Sequence, residues 1–278
     1  MTARTQTDSK QLSLSKLVER IPDGASIAVG GSFLHRSPNG VARELVRQGK
    51  RNIEIVKQSP GYDIDLLCRA GVVDRARTGI VAIEGNFGLA PHYREAVESG
   101  ALELEEHSCA TLTAGLRASV FGNPFQLCAG IDGSDLAELN GWVKIDDPYG
   151  SGRHGWAIPY IRPDYAILHV NEITGDGDAR VLGTSHWDRV MSRAAEKVLI
   201  VAERKVDKAE FQKAPNLTLV PHFLVDAYSV APGTAWPGSC WPDYEVDYPA
   251  VEQYLEAGDE AFDMHLRSAP EALEAKHD

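Results

Sequence analysis

Three short stretches of the chain gather reactive side chains, two of them beside glycine. In Val29-Gly30-Gly31-Ser32-Phe33 an apolar run ends in two glycines and a hydroxyl, and a helical pattern opens at Asn39. Such a strand–glycine–helix junction lets backbone approach a ligand closely and turns unpaired N–H groups toward an anion; the same glycines also suit a plain tight turn. Ile83-Glu84-Gly85-Asn86-Phe87-Gly88 puts a carboxylate and an amide on a glycine-rich turn after a second apolar run. A carboxylate there can act as base or nucleophile, its pKa raised by apolar surroundings, or can cap a helix and pair with an arginine. Glu105-Glu106-His107-Ser108 gathers two carboxylates and an imidazole, groups suited to proton transfer. Its simpler reading is a solvated strand edge followed by Ser108 as the N-cap of the next helix.

Other chemistries lack their signatures. The first glycine pair has neither the G-x-G-x-x-G spacing of a dinucleotide fold nor the G-x-x-x-x-G-K-[S/T] lysine of a phosphate loop. His35, His154, His169 and His186 lie far apart and no H-E-x-x-H occurs, so no metal is expected. Gly150-Ser151-Gly152 is not a G-x-S-x-G nucleophile elbow. Cys68, Cys109, Cys128 and Cys240 form no C-x-x-C and read as reduced thiols. The aromatic segment from Trp236 to Pro242 reads as an ordered loop in which Cys240 can line a pocket and Trp241 packs into the core.

The scaffold for these residues is an ordinary compact chain of 278 residues with 43% hydrophobic and 24% charged side chains. Its 40 acidic against 28 basic residues give a net charge of −12, which argues against nucleic acid and anionic membrane as partners. The polar start, residues 1–10, and the lack of any long apolar run predict neither a leader nor a membrane span, hence a cytoplasmic protein. Strands are expected at 25–29, 53–56, 79–83, 102–105, 165–170 and 197–202, with further short ones at 217–220 and 224–230. Helices are expected at 12–20, 39–48, 64–70, 91–99, 111–120, 187–195, 248–257 and 260–267. The alternation predicts an α/β fold, an open and mostly parallel sheet flanked by helices, as one domain over 1–278. Residues 130–155, rich in Gly, Asp and Ser, read as a small irregular insert, and 268–278 as a frayed tail.

Taken in order, Ile21-Pro22-Asp23-Gly24-Ala25-Ser26-Ile27-Ala28-Val29-Gly30-Gly31-Ser32-Phe33, Arg36-Ser37-Pro38, and Glu84 followed by Gly88-Leu89-Ala90-Pro91-His92-Tyr93-Arg94 resemble the alpha (A) subunits of family I coenzyme A transferases. Gly115-Leu116-Arg117, Gly122-Asn123-Pro124-Phe125 and Ala194-Ala195-Glu196 extend the likeness over about residues 12–230, and the longer carboxyl part with Tyr254-Leu255 resembles the glutaconate CoA-transferase branch. The resemblance implies an A2B2 assembly with a B subunit of the same fold and an active site between the chains. It also implies CoA transfer between carboxylic acids, with no cofactor beyond the CoA thioester substrate and with the covalent glutamate in a Ser-Glu-Asn-Gly-like motif of the B subunit. Relatives in this branch include a ring-opening hydrolase of steroid-derived CoA thioesters and a decarboxylase of methylglutaconyl-CoA, both in degradative pathways. Likeness to the hydrolase implies Glu106 as a general base, beside Glu84 as the other candidate catalytic residue. A non-catalytic CoA-ester-binding protein is the remaining alternative. On the transferase reading, the Gly30 and Gly31 amides approach the substrate, Ser32 and Asn86 hydrogen-bond it, and Arg36 grips a carboxylate through two parallel bonds.

Overall fold

The computed structural model describes residues 10–267, so the expected tail at 268–278 lies outside the described residues. Helix α1 (Leu14–Glu19), capped by Ser13, precedes β1 (Ser26–Val29), α2 (Asn39–Arg47), β2 (Ile53–Lys57), α3 (Tyr62–Arg69) and β3 (Val73–Thr78). A single turn α4 (Glu84–Phe87), α5 (Pro91–Glu98), β4 (Glu103–Glu106) and α6 (Cys109–Phe121) follow. Then come β5 (Phe125–Cys128), α7 (Leu136–Leu139), β6 (Val143–Asp146), β7 (His154–Pro159), β8 (Tyr165–Ile173) and β9 (Ala179–Arg180). The chain continues through α8 (Asp188–Ala194), β10 (Lys197–Lys205), α9 (Lys208–Lys213), β11 (Thr218–Val220), β12 (Ala227–Val230), α10 (Tyr248–Glu256) and α11 (Asp259–Arg267).

Seven strands run parallel in the order β4-β3-β2-β1-β8-β10-β12. The short β9 and β11 join antiparallel beyond the end of β1, where β8 outruns its neighbour. Strand β8 is buried along its whole length, as its apolar sequence requires of a strand covered on both faces. Alternation along β1 divides the core: Ile27 and Val29 pack with Leu17, Val41 and Ile64 on one face, Ala28 with Leu112, Leu116 and Met191 on the other. Ser108 does cap α6, in a reciprocal box with Thr111, and Pro91 opens α5 at a position that needs no N–H.

Two expectations need correction. The third strand is Val73–Thr78, not 79–83. Its charged residues alternate with buried Val73, Ala76 and Thr78, and Arg77 is held between Glu54 and Glu105 at 3.1 and 2.9 Å. The apolar run after it instead crosses the end of β2 as irregular chain, hydrogen-bonded to the Gln58 and Pro60 carbonyls. The insert is also wider and more regular than 130–155, being an antiparallel sheet in the order β5-β7-β6 with its own core of Ala114, Cys128, Ile131, Trp142 and Ile158.

Helix α11 docks through His265, which stacks on Trp236 with ring centroids 5.2 Å apart and hydrogen-bonds Tyr62. Burial, with Arg43 and Arg69 nearby, pushes this imidazole down to about 4. Released from the fold it binds a proton more readily, so acid favours the released form. Docking is therefore fully stable above about pH 6.5 and weakens as pH falls toward 4. Trp236 emission followed from pH 7.5 to 4 should show this release, displaced to lower pH in His265→Phe; superimposable curves would refute the assignment.

Candidate functional site

From β1 the chain steps outward through β2, β3 and β4, whereas β8, β10 and β12 step outward on the opposite side. The β1–β8 boundary is thus the point where strand order reverses, and open parallel sheets bind ligands in the crevice beyond the carboxyl ends at such a point. The segment after β1 and the loops leading into α8 and α10 meet there.

The segment after β1 is a tight turn closed by Ser32 N–H to His35 O at 2.9 Å and His35 N–H to Ser32 O at 2.7 Å. Gly31 has φ +74°, and a Cβ there would lie 2.5 Å from His35 O and the Arg36 carbonyl carbon, so glycine is required. Arg36 leaves this turn buried. Its Nη1 donates to Asp188 Oδ2 at 2.9 Å and to His169 O at 2.6 Å, while Nε and Nη2 both donate to Thr184 O. Asp188 Oδ1 in turn accepts the Gly31 N–H at 3.1 Å, and the Gly30 N–H bonds Ile167 O at 2.9 Å.

These bonds revise the roles expected for three residues. Arg36 fastens the loop before α8 to the turn and is closed off from a substrate carboxylate by its own aspartate. The Gly30 and Gly31 amides are engaged within the chain, so these glycines shape the crevice without lining it with donors. The Ser32 side chain remains half-buried at its edge. Beneath the turn, Lys57 is wholly buried at the end of β2, bonded to Ser37 Oγ at 2.7 Å and Asp63 Oδ2 at 2.6 Å.

Glu84 joins the site through His35. Its Oε1 lies 2.8 Å from His35 Nε2, and His35 Nδ1 lies 2.7 Å from Ser239 Oγ, forming a chain from carboxylate through imidazole to a buried hydroxyl. Sequence left open whether His35 lines the site or packs, and Ser239, 204 positions from it, escaped the sequence reading. Glu84 neither caps a long helix nor meets an arginine. Asn86, two residues on, is exposed.

Glu106 stands apart from this group. It ends β4, paired with Thr78 of β3, and two strands separate it from β1. Its side chain is exposed and has no hydrogen-bond or ion-pair partner among the described residues. Glu105, by contrast, is held below the usual carboxylate range by hydrogen bonding from His107, with Arg77 adding to it. An open groove of about 460 Å³ lined by Val81, Leu89, Ala90, Tyr93, Arg94 and Val97 runs along α5. Tyr93 reaches from this groove to Thr78 Oγ1 at 3.1 Å.

Behind the turn, the topology assembles His169, Glu203 and Cys240, all buried, with possible ligand atoms within 4.8 Å of one another. They already engage their neighbours. His169 Nε2 bonds Glu203 Oε1 at 2.7 Å, Tyr244 Oη and the Gly233 N–H donate to the same carboxylate, and Asn171 Nδ2 bonds Cys240 Sγ at 3.4 Å. Burial opposes the charge on Glu203, yet these donors hold its pKa low; burial and the carboxylates of Glu203 and Asp243 push the Cys240 thiol up. Trp241, expected in the core, is 57% exposed because Cys240 turns inward in its place.

Backbone strain collects at the crevice. Five non-glycine residues among those described have positive φ, and four of them are Phe33, Arg36, Glu84 and His186. Such conformations persist where the surroundings over-determine them, as at binding and catalytic sites.

The chain's relatives agree with this architecture. A family model described as Coenzyme A transferase matches residues 12–230. The A subunit of the 3-oxoadipate CoA-transferase of Pseudomonas knackmussii is 31% identical over 242 residues, 85% of this chain and 84% of that one. The cholesterol ring-cleaving hydrolase IpdA subunit of Mycobacterium tuberculosis is 30% identical over 260 residues, 89% of this chain and 88% of that one. The crystal structure of glutaconate coenzyme A-transferase from Acidaminococcus fermentans superposes with a TM-score of 0.86 at 26% identity, covering 93% of this chain and 88% of that one. With the parallel sheet and the crevice at its reversal point, this match over most of the chain places the protein in the coenzyme A transferase family of enzymes.

Proposed function

We propose that this chain is the A subunit of a two-chain enzyme that transfers CoA between carboxylic acids, with the covalent glutamate supplied by a B subunit of the same fold in an A2B2 assembly. The observation that carries this reading is the family match across residues 12–230, joined by the likeness to the 3-oxoadipate CoA-transferase chain. The geometry supports it: Glu84 is tied to His35, Arg36 to Asp188 and Lys57 to Asp63, so none of them stands as a free nucleophile or cation. The partner's carboxylate attacks the thioester carbonyl carbon, the C–S bond breaks, and CoA thiolate leaves an acyl–glutamyl anhydride. The thiolate then attacks the glutamyl carbonyl, releasing the first acid and forming a glutamyl–CoA thioester, and the incoming carboxylate runs these steps in reverse. This chain supplies the facing wall, with the Ser32 hydroxyl and the Asn86 amide at its rim. No cofactor beyond the CoA of the substrate enters this scheme.

Intact-mass spectrometry of the co-purified complex after incubation with an acyl-CoA should find a CoA adduct on the partner and none on this chain. An adduct on Glu84 would make this chain the nucleophile and end the proposal. A second reading, hydrolysis of a CoA thioester, is favoured by the unpartnered Glu106 carboxylate at the end of β4. Glu106→Gln distinguishes the two: hydrolysis should fall by about 10²-fold or more with its general base removed, whereas transfer should persist. A cytoplasmic setting is part of the proposal, supported by four unpaired cysteines. No helix among the described residues is long and apolar enough to cross a membrane.

A further inference from the structure

At the crevice the fold leaves the side chains of His186 and Ser32 without a hydrogen-bond partner among the described residues. Arg36, Lys57 and His35 are bonded within the chain, as are the amides of residues 30–32. His186 has no hydrogen-bond or ion-pair partner among the described residues and is half-buried. Its backbone is held in the left-handed region, φ 44°, between two anchors. On one side the Thr184 carbonyl accepts from Arg36, and on the other Asp188 accepts from Arg36 and from the Gly31 amide. That conformation is unfavourable for a non-glycine residue, and these two anchors keep it in place.

The charges of Arg36, Lys57 and His35 act on the imidazole, with Asp188 opposing them. Burial, then the nearby guanidinium, push its pKa down to about 4. At neutral pH it is uncharged, a weak base that retains an N–H. A neutral imidazole of this kind serves as an electrophile: it polarises a carbonyl and keeps its proton.

We propose that His186 is a catalytic residue that donates its N–H to the thioester carbonyl oxygen of the acyl-CoA as negative charge develops there. The inference rests on the acyl-CoA reading above and supplies the donor that the Gly30 and Gly31 amides do not. When a carboxylate or water oxygen adds to the carbonyl carbon, the π pair moves onto oxygen. Collapse of the adduct returns that pair and expels the CoA thiolate, while the imidazole proton stays on His186. The clamped loop needs no reorganisation to present this N–H to the developing oxyanion.

The test uses the complex with its partner chain and compares wild type, His186→Phe and His186→Gln on acetyl-CoA with succinate as acceptor acid and on succinyl- and glutaryl-CoA with acetate, following both transfer and free CoA. Both variants bear the same backbone strain, so their difference isolates the donor, and thermal melts show whether each folds. His186→Phe should lower kcat by about 10²–10³-fold with KM nearly unchanged, and His186→Gln should recover part of that loss. Retention of kcat in His186→Phe within threefold, or a loss confined to KM, overturns the inference and leaves the acyl-CoA reading standing. A folded wild-type complex that leaves all three esters intact removes both.

Discussion

Asp188→Ala should lower the free energy of unfolding by about 3–5 kcal/mol, the range for removing one partner from a buried ion pair. Asp188 is wholly inaccessible and Arg36 is 3% exposed, so neither water nor another carboxylate reaches the abandoned guanidinium. The substitution also orphans the Gly31 N–H, whose acceptor is Asp188 Oδ1. Urea unfolding measures the loss, and the double variant Arg36→Met, Asp188→Leu should regain much of it, because two apolar side chains leave no buried charge unpaired. A loss below 1 kcal/mol in the single variant would mean that the pair is open to solvent. Activity should fall in both variants, since each unfastens the loop carrying His186 from the turn after β1.

A methyl group at Gly238 should be nearly as damaging. Its Cβ would lie 2.1 Å from Leu34 O and 2.9 Å from the carbonyl carbon behind it, both backbone atoms that no rotamer change can move. Leu34 O also accepts the Ser239 N–H at 2.7 Å, so the loop must lift at the point where it is tied down. Overpacking of this kind costs about 1–3 kcal/mol, and the displacement carries Ser239 Oγ away from His35 Nδ1. Gly238→Ala should therefore melt earlier and lose activity out of proportion to its stability. Gly258→Ala, with no atom within 4 Å of its added Cβ, should melt like wild type or slightly later. Equal melting temperatures for the two variants would contradict this picture.

The sheet was legible because its signals are local. The apolar run of β8 and the strand–glycine–helix passage at Val29–Asn39 each lie within one short window. The third strand was misplaced because Ile80-Val81-Ala82-Ile83 is more apolar than the charged β3, whose place depends on Arg77 meeting Glu54 and Glu105. The crevice was half legible. Glycines and carboxylates at strand ends marked Gly31 and Glu84, but nothing near Arg36 in sequence shows that Asp188, 152 positions on, neutralises it. His186 gave no sequence signal either: its isolation from partners and its strained backbone exist only once Thr184 and Asp188 are anchored.

The β1–β8 junction also orders events during synthesis. Ser26 in β1 bonds Asp164 beside β8 across 138 positions, so the first four parallel strands emerge from the ribosome long before β1 gains its second neighbour. A chain halted in the small three-stranded sheet carries Arg36 without Asp188 and β1 as an open edge, a state exposed to aggregation. Arrival of β8 and α8 closes the edge, neutralises the arginine and forms the crevice together. Competence of the site therefore reports that the second half of the chain has been made and has docked.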